Sequence, residues 1–224
     1  MRKISLGTSG IQCSEVSLGC MRIGGMEPAK LDELVATSLE LGIDFFDHAD
    51  IYGGGECERV FAKSMARLRV DRESVFLQSK CGIRNGFFDF SKEHILGSTD
   101  RILERLETDY LDVLLLHRPD ALIEPEEVAE AFALLRDSGK VRHFGVSNFT
   151  PGQIELLQAA LPDRLHANQL QFGIMHTGMV DQGIAANMRH ENSVDRDGGV
   201  LDYCRLRKIT IQAWSPFQYG FFEG

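Results

Sequence analysis

The sequence predicts an α/β fold, a (β/α)8 barrel preceded by an N-terminal β-hairpin. Strand-like and helix-like segments alternate along the chain, and seven strand-like segments follow the hairpin. These seven are continuously apolar rather than alternating, as expected of parallel strands that are buried on both faces. They recur at intervals of roughly 25 to 40 residues, the length of a βα unit. Seven such units favour a barrel over an open sheet.

The individual strands are predicted from short apolar runs that end at turn-forming residues. The turn GTSG separates two short runs at 4–6 and 11–13, which predicts the hairpin. The seven parallel strands are predicted at 16–19, 43–50, 75–81, 111–117, 141–148, 165–172 and 209–217. Helices, recognised by apolar residues three or four positions apart, are predicted between them at 31–41, 56–68, 92–106, 126–136, 153–161 and 200–207.

An open dinucleotide-binding sheet is the alternative α/β architecture, and its glycine motif can be tested directly. That fold needs GxGxxG between the first strand and helix, with an acidic residue about 20 positions later. The glycines of GCMRIGG at 19–25 lack this spacing, and GGG at 53–55 follows the second strand. The sequence therefore favours the barrel.

Size and charge limit the classes of function. The 224 residues, 43% hydrophobic and 25% charged, suffice for one core, so a single domain is expected over residues 1–224. A net charge of -9 opposes binding to nucleic acid or to an anionic membrane surface. No apolar run reaches the about 18 residues that span a bilayer, and MRKISLGTSG lacks a signal-peptide core, so a cytoplasmic location is expected.

The remaining features of the chain predict no cross-links or metal site. Five cysteines without CxxC spacing predict reduced, structural thiols, and no metal is expected. The polar, glycine-containing segment 173–199 predicts a loop over the site or a disordered connection. The sequence stops at Gly224, shortly after the seventh strand, whereas a complete barrel takes about 250 residues. We therefore expect a barrel that lacks the eighth βα unit at its carboxyl end.

Four titratable residues lie at or just after the carboxyl ends of the second, third and fourth parallel strands: Asp47, Tyr52, Lys80 and His117. Each alone is typical of a structural role, but the ends of neighbouring barrel strands converge on one patch. A lysine at the end of an apolar strand is buried and needs an anion to pair with, and Asp47 on the neighbouring strand is the expected partner. The Lys80 ammonium should lower the pKa of the Tyr52 phenol from its usual value of about 10. Tyr52 would then be a usable proton donor near neutral pH. Together the four residues predict a site that reduces carbonyl groups.

Six motifs then occur in an order typical of one family: FFDHADIYG, SKCG, LLLHRPD, GKVRHFGVSNF, ANQLQF and QAWSPF. On these motifs the chain resembles an aldo/keto reductase over nearly its whole length. The resemblance implies a hairpin that plugs the barrel floor, and a nicotinamide cofactor, usually NADPH with NADH as the alternative, bound without a Rossmann motif. It also implies a small-molecule carbonyl substrate and a catalytic tetrad, with Tyr52 as the general acid: Asp47, Tyr52, Lys80 and His117.

The resemblance assigns cofactor contacts as well. It places a hydrogen-bonding set against the carboxamide of the nicotinamide: Ser147, Asn148 and Gln169. A carboxamide offers one acceptor oxygen and two donor hydrogens, which such a set can match. Trp214 would stack on the nicotinamide ring, and Asp47 would also contact the cofactor. Ser215 and Phe217 would begin the loop that passes the pyrophosphate.

One departure from the family pattern and two other functions bear on this interpretation. His48 stands where many members have a small hydroxyl residue, so its imidazole is expected to narrow the pocket or to add a second titrating group. A redox-sensing regulatory subunit would bind the same cofactor but turn over poorly. An aldolase would use Lys80 as a Schiff-base amine. The physiological substrate, the choice between NADPH and NADH and the oligomeric state cannot be determined from the sequence.

Overall fold

The computed structural model describes residues 1–217, which form a two-stranded hairpin and a seven-stranded parallel sheet. In the hairpin, β1 (Lys3–Ser5) pairs antiparallel with β2 (Gln12–Ser14). The parallel strands are β3 (Leu18–Gly19), β4 (Phe45–Asp47), β5 (Phe76–Cys81), β6 (Leu111–Leu116), β7 (Val141–Ser147), β8 (Ala167–Gln171) and β9 (Thr210–Trp214). Each strand pairs with its neighbour in the chain, from β3 through to β9. The predicted α/β barrel class is confirmed.

Helices connect the strands of this sheet. They are α1 (Pro28–Glu40), α2 (Glu56–Leu68), α3 (Lys92–Leu106), α4 (Pro125–Asp137), α5 (Pro151–Ala160), α6 (Gly178–Ile184) and α7 (Val200–Arg207). Polar caps begin two of them: Ser91 Oγ accepts from the His94 amide before α3, and Thr150 forms a capping box with Gln153 before α5. The predicted bounds of α2, α3 and α7 are correct. The short helix α6 lies in the segment 173–199, where the sequence predicts a loop.

Alternation along β5 produces two chemically different faces. Gln78 and Lys80 face the interior of the barrel, whereas Leu77, Ser79 and Cys81 face the helices. The larger apolar core lies on this outer side, between the sheet and the helices, with Phe46, Leu114, Phe144 and Ile154 among its members. The outer face of the sheet thus supplies most of the hydrophobic burial, and the inner face is free to carry polar groups.

A smaller apolar core lies inside the barrel at the amino-terminal ends of the strands. Its members come from the hairpin and from β4, β6 and β8: Leu6, Ile11, Cys13, Phe45, Val113, Leu115 and Ala167. Gly145 of β7 adjoins this core, and a Cβ there would lie 2.7 Å from the Ala167 carbonyl oxygen and from Leu115 Cδ2. The hairpin therefore plugs the floor of the barrel, as the resemblance implies.

All five cysteines are buried and free. Within residues 1–217, no helix is long and apolar enough to cross a membrane.

Candidate active site

Lys80 is the centre of a polar cluster at the carboxyl ends of β4 and β5. Its side chain is fully buried, and its ammonium donates to Asp47 Oδ2 at 2.8 Å. It also donates to the His48 carbonyl at 2.8 Å and to the Tyr52 hydroxyl at 3.2 Å. An ammonium has three protons, so each one has an acceptor. His117 follows β6, and its ring lies edge-on to that of Tyr52 with centroids 6.0 Å apart. The structure thus brings all four predicted residues together.

Three glutamine side chains lie beside Asp47, and we call them the glutamine layer: Gln78, Gln169 and Gln212. The sequence motifs indicate a role only for Gln169, as a cofactor contact. Asp47 Oδ1 accepts from Gln78 Nε2 at 2.6 Å and from Gln169 Nε2 at 3.2 Å. Gln212 exchanges two hydrogen bonds with Gln78, at 2.9 and 3.0 Å, and accepts one from Gln169 at 3.2 Å. In the sequence, the only sign of Gln78 is that a polar residue stands two positions before Lys80, on the same face of the strand. The layer orients the carboxylate that pairs with Lys80.

A 3-10 turn, Tyr52–Gly55, presents the phenol to Lys80. Gly53, Gly54 and Gly55 adopt φ values of 57°, 63° and 91°, left-handed conformations that cost glycine little. A Cβ on Gly55 would also lie 2.7 Å from Arg105 Cδ. The glycine run that failed as a Rossmann motif therefore has a different use, because it turns the chain from Tyr52 directly into α2.

Burial controls the protonation of Tyr52 and His117. Burial raises the pKa of the Tyr52 phenol, and the Lys80 ammonium offsets only part of that rise. This result corrects the expectation that the ammonium brings the pKa below its ordinary value. The phenol keeps its proton at neutral pH and can donate it. Burial, assisted by the charge on Lys80, lowers the pKa of His117 to about 3, so the imidazole is neutral.

Lys80 itself is held in its charged form. Burial disfavours the ammonium, but the attraction of Asp47 and Tyr52 and their hydrogen bonds outweigh it and raise the pKa of Lys80. A Schiff base needs a neutral amine with a free lone pair. A buried ammonium with three acceptors has none, which argues against the aldolase interpretation.

The predicted carboxamide ligands lie together at the ends of β7 and β8. Ser147 Oγ donates to the Gln169 carbonyl at 3.1 Å, and Asn148 Nδ2 donates to Ser147 Oγ at 2.8 Å. The indole of Trp214 donates from Nε1 to Asn148 Oδ1 at 3.0 Å. Asn148 adopts a φ of 65°, a left-handed conformation that asparagine tolerates better than most residues. The four residues form one hydrogen-bonded network at the mouth of the barrel.

This arrangement fits a nicotinamide. The indole of Trp214 is half-buried and offers a flat apolar surface, and amide and hydroxyl groups stand beside it. Ser215 follows with a φ of 51°, and Phe217 is exposed at the same end of the barrel. Contacts of these two residues with a pyrophosphate stay a prediction.

His48 faces away from the pocket, which corrects a second expectation. Asp47 points into the barrel and His48 points outward, where its ring packs against Phe61 of α2 with centroids 4.6 Å apart. The imidazole is fully buried, and neither ring nitrogen has a hydrogen-bond partner among residues 1–217. Burial lowers its pKa to about 3. His48 is therefore a neutral core residue that neither narrows the pocket nor titrates near neutral pH.

A second buried polar group lies on the outer face of β5, and we call it the outer acid cluster: Asp50, Glu58, Ser79 and Arg105. Glu58 accepts from Ser79 Oγ at 2.8 Å and from Arg105 Nε at 2.5 Å. Asp50 Oδ1 and Arg105 Nη2 are buried and have no hydrogen-bond partner in the described part of the chain. Burial and the nearby charge of Glu58 raise the pKa of Asp50 to about 7. The motifs did not indicate this cluster.

The segment 173–199 contains α6 and a 3-10 turn at Glu191–Ser193. Several of its apolar side chains are exposed, among them Ile174, Met175 and Ile184. In the part of the chain that the structure describes, no group of three or more histidine, cysteine or acidic residues could hold a metal ion.

Comparisons with known proteins show which family the chain is similar to. The model of the aldo/keto reductase family matches residues 15–224. An uncharacterised oxidoreductase of Bacillus subtilis, YcsN, is 39% identical over 98% of this chain and 72% of its own length. A 6-dehydroglucose reductase of Agrobacterium fabrum is 32% identical over 98% of this chain and 73% of its own length.

Solved structures are similar over the same extent. A thermostable aldo-keto reductase in complex with the inhibitor epalrestat gives a TM-score of 0.82 at 27% identity, over 99% of this chain and 75% of that one. The holo form of an aldo-keto reductase from Bacillus halodurans gives 0.79 at 26% identity, over 98% of this chain and 68% of that one.

Proposed function

The chain belongs to the aldo/keto reductase family and is a nicotinamide-dependent oxidoreductase, and we propose that it reduces an aldehyde or ketone with NADPH, with Tyr52 as the proton donor. One observation carries the proposal, the hydrogen bond from the buried Lys80 ammonium to the Tyr52 hydroxyl at 3.2 Å. It places a positive charge against a phenol that is protonated at neutral pH. A perturbed, charge-paired group at the mouth of a barrel is typical of a catalytic site.

Each member of the tetrad has a separate role in the reduction of the carbonyl group. The reduced nicotinamide, when bound, supplies the hydride that the carbonyl carbon accepts. Tyr52 donates its proton to the oxygen, and Lys80 stabilises the phenolate that remains. The neutral imidazole of His117 donates a hydrogen bond that orients the oxygen. Asp47 keeps the lysine charged and in place.

The cofactor site follows from the network at the ends of β7, β8 and β9. We assign the carboxamide to Ser147, Asn148 and Gln169, the nicotinamide ring to Trp214, and the pyrophosphate to the loop at Ser215 and Phe217. Holding the ring by both its face and its carboxamide determines which hydride can reach the substrate. Trp214 is the only tryptophan of the chain, so the quenching of its emission by NADPH and by NADH measures the preference between them.

Substitution of Tyr52 by phenylalanine tests the mechanism. Tyr52→Phe should lower the rate of carbonyl reduction by about 10² to 10⁴, the usual cost of losing a positioned general acid. Affinity for NADPH should stay within about twofold, because the hydroxyl serves the substrate. Tyr203→Phe is the matched control, since it removes a hydroxyl that donates to Glu155 far from the tetrad. Full activity of Tyr52→Phe would contradict the proposal.

The regulatory alternative has its own signature in the same measurements. A redox-sensing subunit would quench Trp214 emission with NADPH yet show almost no turnover of small aldehydes. Ready turnover by the unmodified chain, lost in Tyr52→Phe, would support the reductase instead.

A further inference from the structure

We propose that the substrate carries an oxyanion, a carboxylate or a phosphate, and that Arg118 binds it. This inference rests on the proposed reductase function, because it places the oxyanion beside the carbonyl that Tyr52 and His117 hold. It adds a recognition element that the tetrad and the cofactor network do not include.

Arg118 directly follows His117, at the carboxyl end of β6. Its side chain is exposed, and its guanidinium carbon lies 5.7 Å from the centroid of the Trp214 ring. Its charge also helps to lower the pKa of His117, behind the larger effects of burial and of Lys80. The guanidinium therefore lies at the mouth of the barrel, between the imidazole on one side and the indole on the other.

The hydrogen-bonding capacity of Arg118 is unused within residues 1–217. The structure gives it no hydrogen bond and no ion pair to any described residue, only the contact with the Trp214 ring. Arg84, on the preceding strand-to-helix loop, pairs with Asp89 at 2.7 Å. Arg105, behind the tetrad, pairs with Glu58 at 2.5 Å. Each proton of the Lys80 ammonium already has an acceptor, so among these cations Arg118 is the one that can bind an external anion.

The chemistry and reach of this side chain define the ligand. A guanidinium presents paired N–H groups that match two oxygens of a carboxylate or phosphate. The Cα atom of Arg118 lies about 3.8 Å from that of His117, the residue that orients the carbonyl oxygen in the proposed mechanism. The oxyanion and the carbonyl must therefore belong to one compact molecule. The apolar indole beneath the guanidinium excludes water from one side and strengthens the pairing.

Three aldehydes with one ring scaffold test the inference: 4-carboxybenzaldehyde, 4-formylphenyl phosphate and the neutral methyl 4-formylbenzoate. Their kcat/KM values are measured with NADPH for the unmodified chain, Arg118→Met, Arg118→Lys and Arg69→Met. Arg69 is an exposed arginine at the far end of α2, so Arg69→Met removes the same charge away from the mouth of the barrel. The two anionic aldehydes also show which oxyanion the site prefers.

Arg118→Met should lower kcat/KM for the preferred anionic aldehyde about 10- to 100-fold, mainly through KM, which is the usual effect of losing a charge-assisted pair. Its kcat/KM for the neutral ester should change less than about twofold. Arg118→Lys should restore part of the loss, because a lysine keeps the charge without the paired N–H groups. Arg69→Met should behave like the unmodified chain with all three aldehydes.

Other outcomes would overturn the inference and identify which part is wrong. An equal loss for neutral and anionic aldehydes in Arg118→Met would show that the arginine supports the site in another way. Weaker quenching of Trp214 by NADPH, with an unchanged ratio between aldehydes, would assign Arg118 to a cofactor phosphate. If the unmodified chain reduced none of the three aldehydes, the reductase function itself would fail and this inference with it.

Discussion

The two faces of β5 carry buried polar groups that handle charge in different ways. On the inner face, the Lys80 ammonium has three acceptors, and Asp47 accepts from Lys80 and from two members of the glutamine layer. On the outer face, Arg105 pairs with Glu58, while Asp50 has no ion pair among the residues described. Asp50 Oδ1 and Arg105 Nη2 also lack hydrogen-bond partners there. Each proton of the inner ammonium thus has an acceptor, whereas the outer acid cluster has polar atoms without a partner among the described residues.

Burial of charge does not by itself distinguish the reactive site from a structural one. Both groups are buried, and both shift the pKa of a member. What distinguishes the inner group is the match between donors and acceptors, together with its position where strand ends converge. Burial raises the pKa of an acid that has no matching donors, and ionisation of that acid lowers the free energy of unfolding near neutral pH. Removal of charge should therefore have opposite effects on the two faces.

Loss of the inner cation should have the largest effect. In Lys80→Met the Asp47 carboxylate stays buried without its ammonium, so we expect the free energy of unfolding to fall by about 3 to 5 kcal/mol. Turnover should also fall, and the alkaline limb of its pH profile should move to higher pH, because nothing then favours the phenolate of Tyr52. Urea unfolding at pH 7 and the pH dependence of kcat/KM measure the two effects.

The double variant Asp47→Asn/Lys80→Met is the control for that experiment. It removes both charges, so it should regain part of the lost stability while its turnover stays low. A single Lys80→Met variant as stable as the unmodified chain would show that the pair is not matched as described.

Loss of the outer charge should have the opposite sign. The unfolded chain releases the Asp50 proton near pH 4, and the folded chain near 7, so the folded state holds more protons in between and its stability falls as the pH rises. Asp50→Asn should remove that fall and add about 4 kcal/mol to the free energy of unfolding at pH 8. The gain should disappear at pH 4. Asp109→Asn, at an exposed acid, is the matched control, and an equal loss of stability at both pH values in Asp50→Asn would contradict this account.

His48 offers a smaller test on the same outer face. The pKa of His48 is about 3 in the folded chain and about 6.5 in the unfolded chain. As the pH drops below about 6.5, only the unfolded chain binds this proton, so the stability of the folded state falls. This single histidine should account for about 2 kcal/mol of the stability lost between pH 7 and pH 5. His48→Phe keeps an aromatic ring against Phe61 and should reduce that loss by the same amount. Thermal or urea unfolding at the two pH values checks it, and an unchanged difference would rule it out.

Much of the fold and the tetrad could be predicted because the relevant signals are local. Apolar runs and the spacing of helical residues identify all seven parallel strands and the bounds of α2, α3 and α7. Asp47, Tyr52, Lys80 and His117 meet as predicted, because the ends of adjacent barrel strands converge. Helix α6 escaped prediction, since it is short and has no buried residue to impose an apolar spacing.

The order of the strands, the polar residues at their ends and the family to which the chain belongs can all be read from the amino-acid sequence. Three features follow from the folded structure instead: His48 faces outward, the pKa of Tyr52 rises, and the glutamine layer supports Asp47. Gln78 and Gln212 lie 134 positions apart, and Glu58 and Arg105 lie 47 apart. Desolvation and hydrogen bonding are sums over every element packed against a group, so they follow from contacts between distant segments rather than from residue type or spacing.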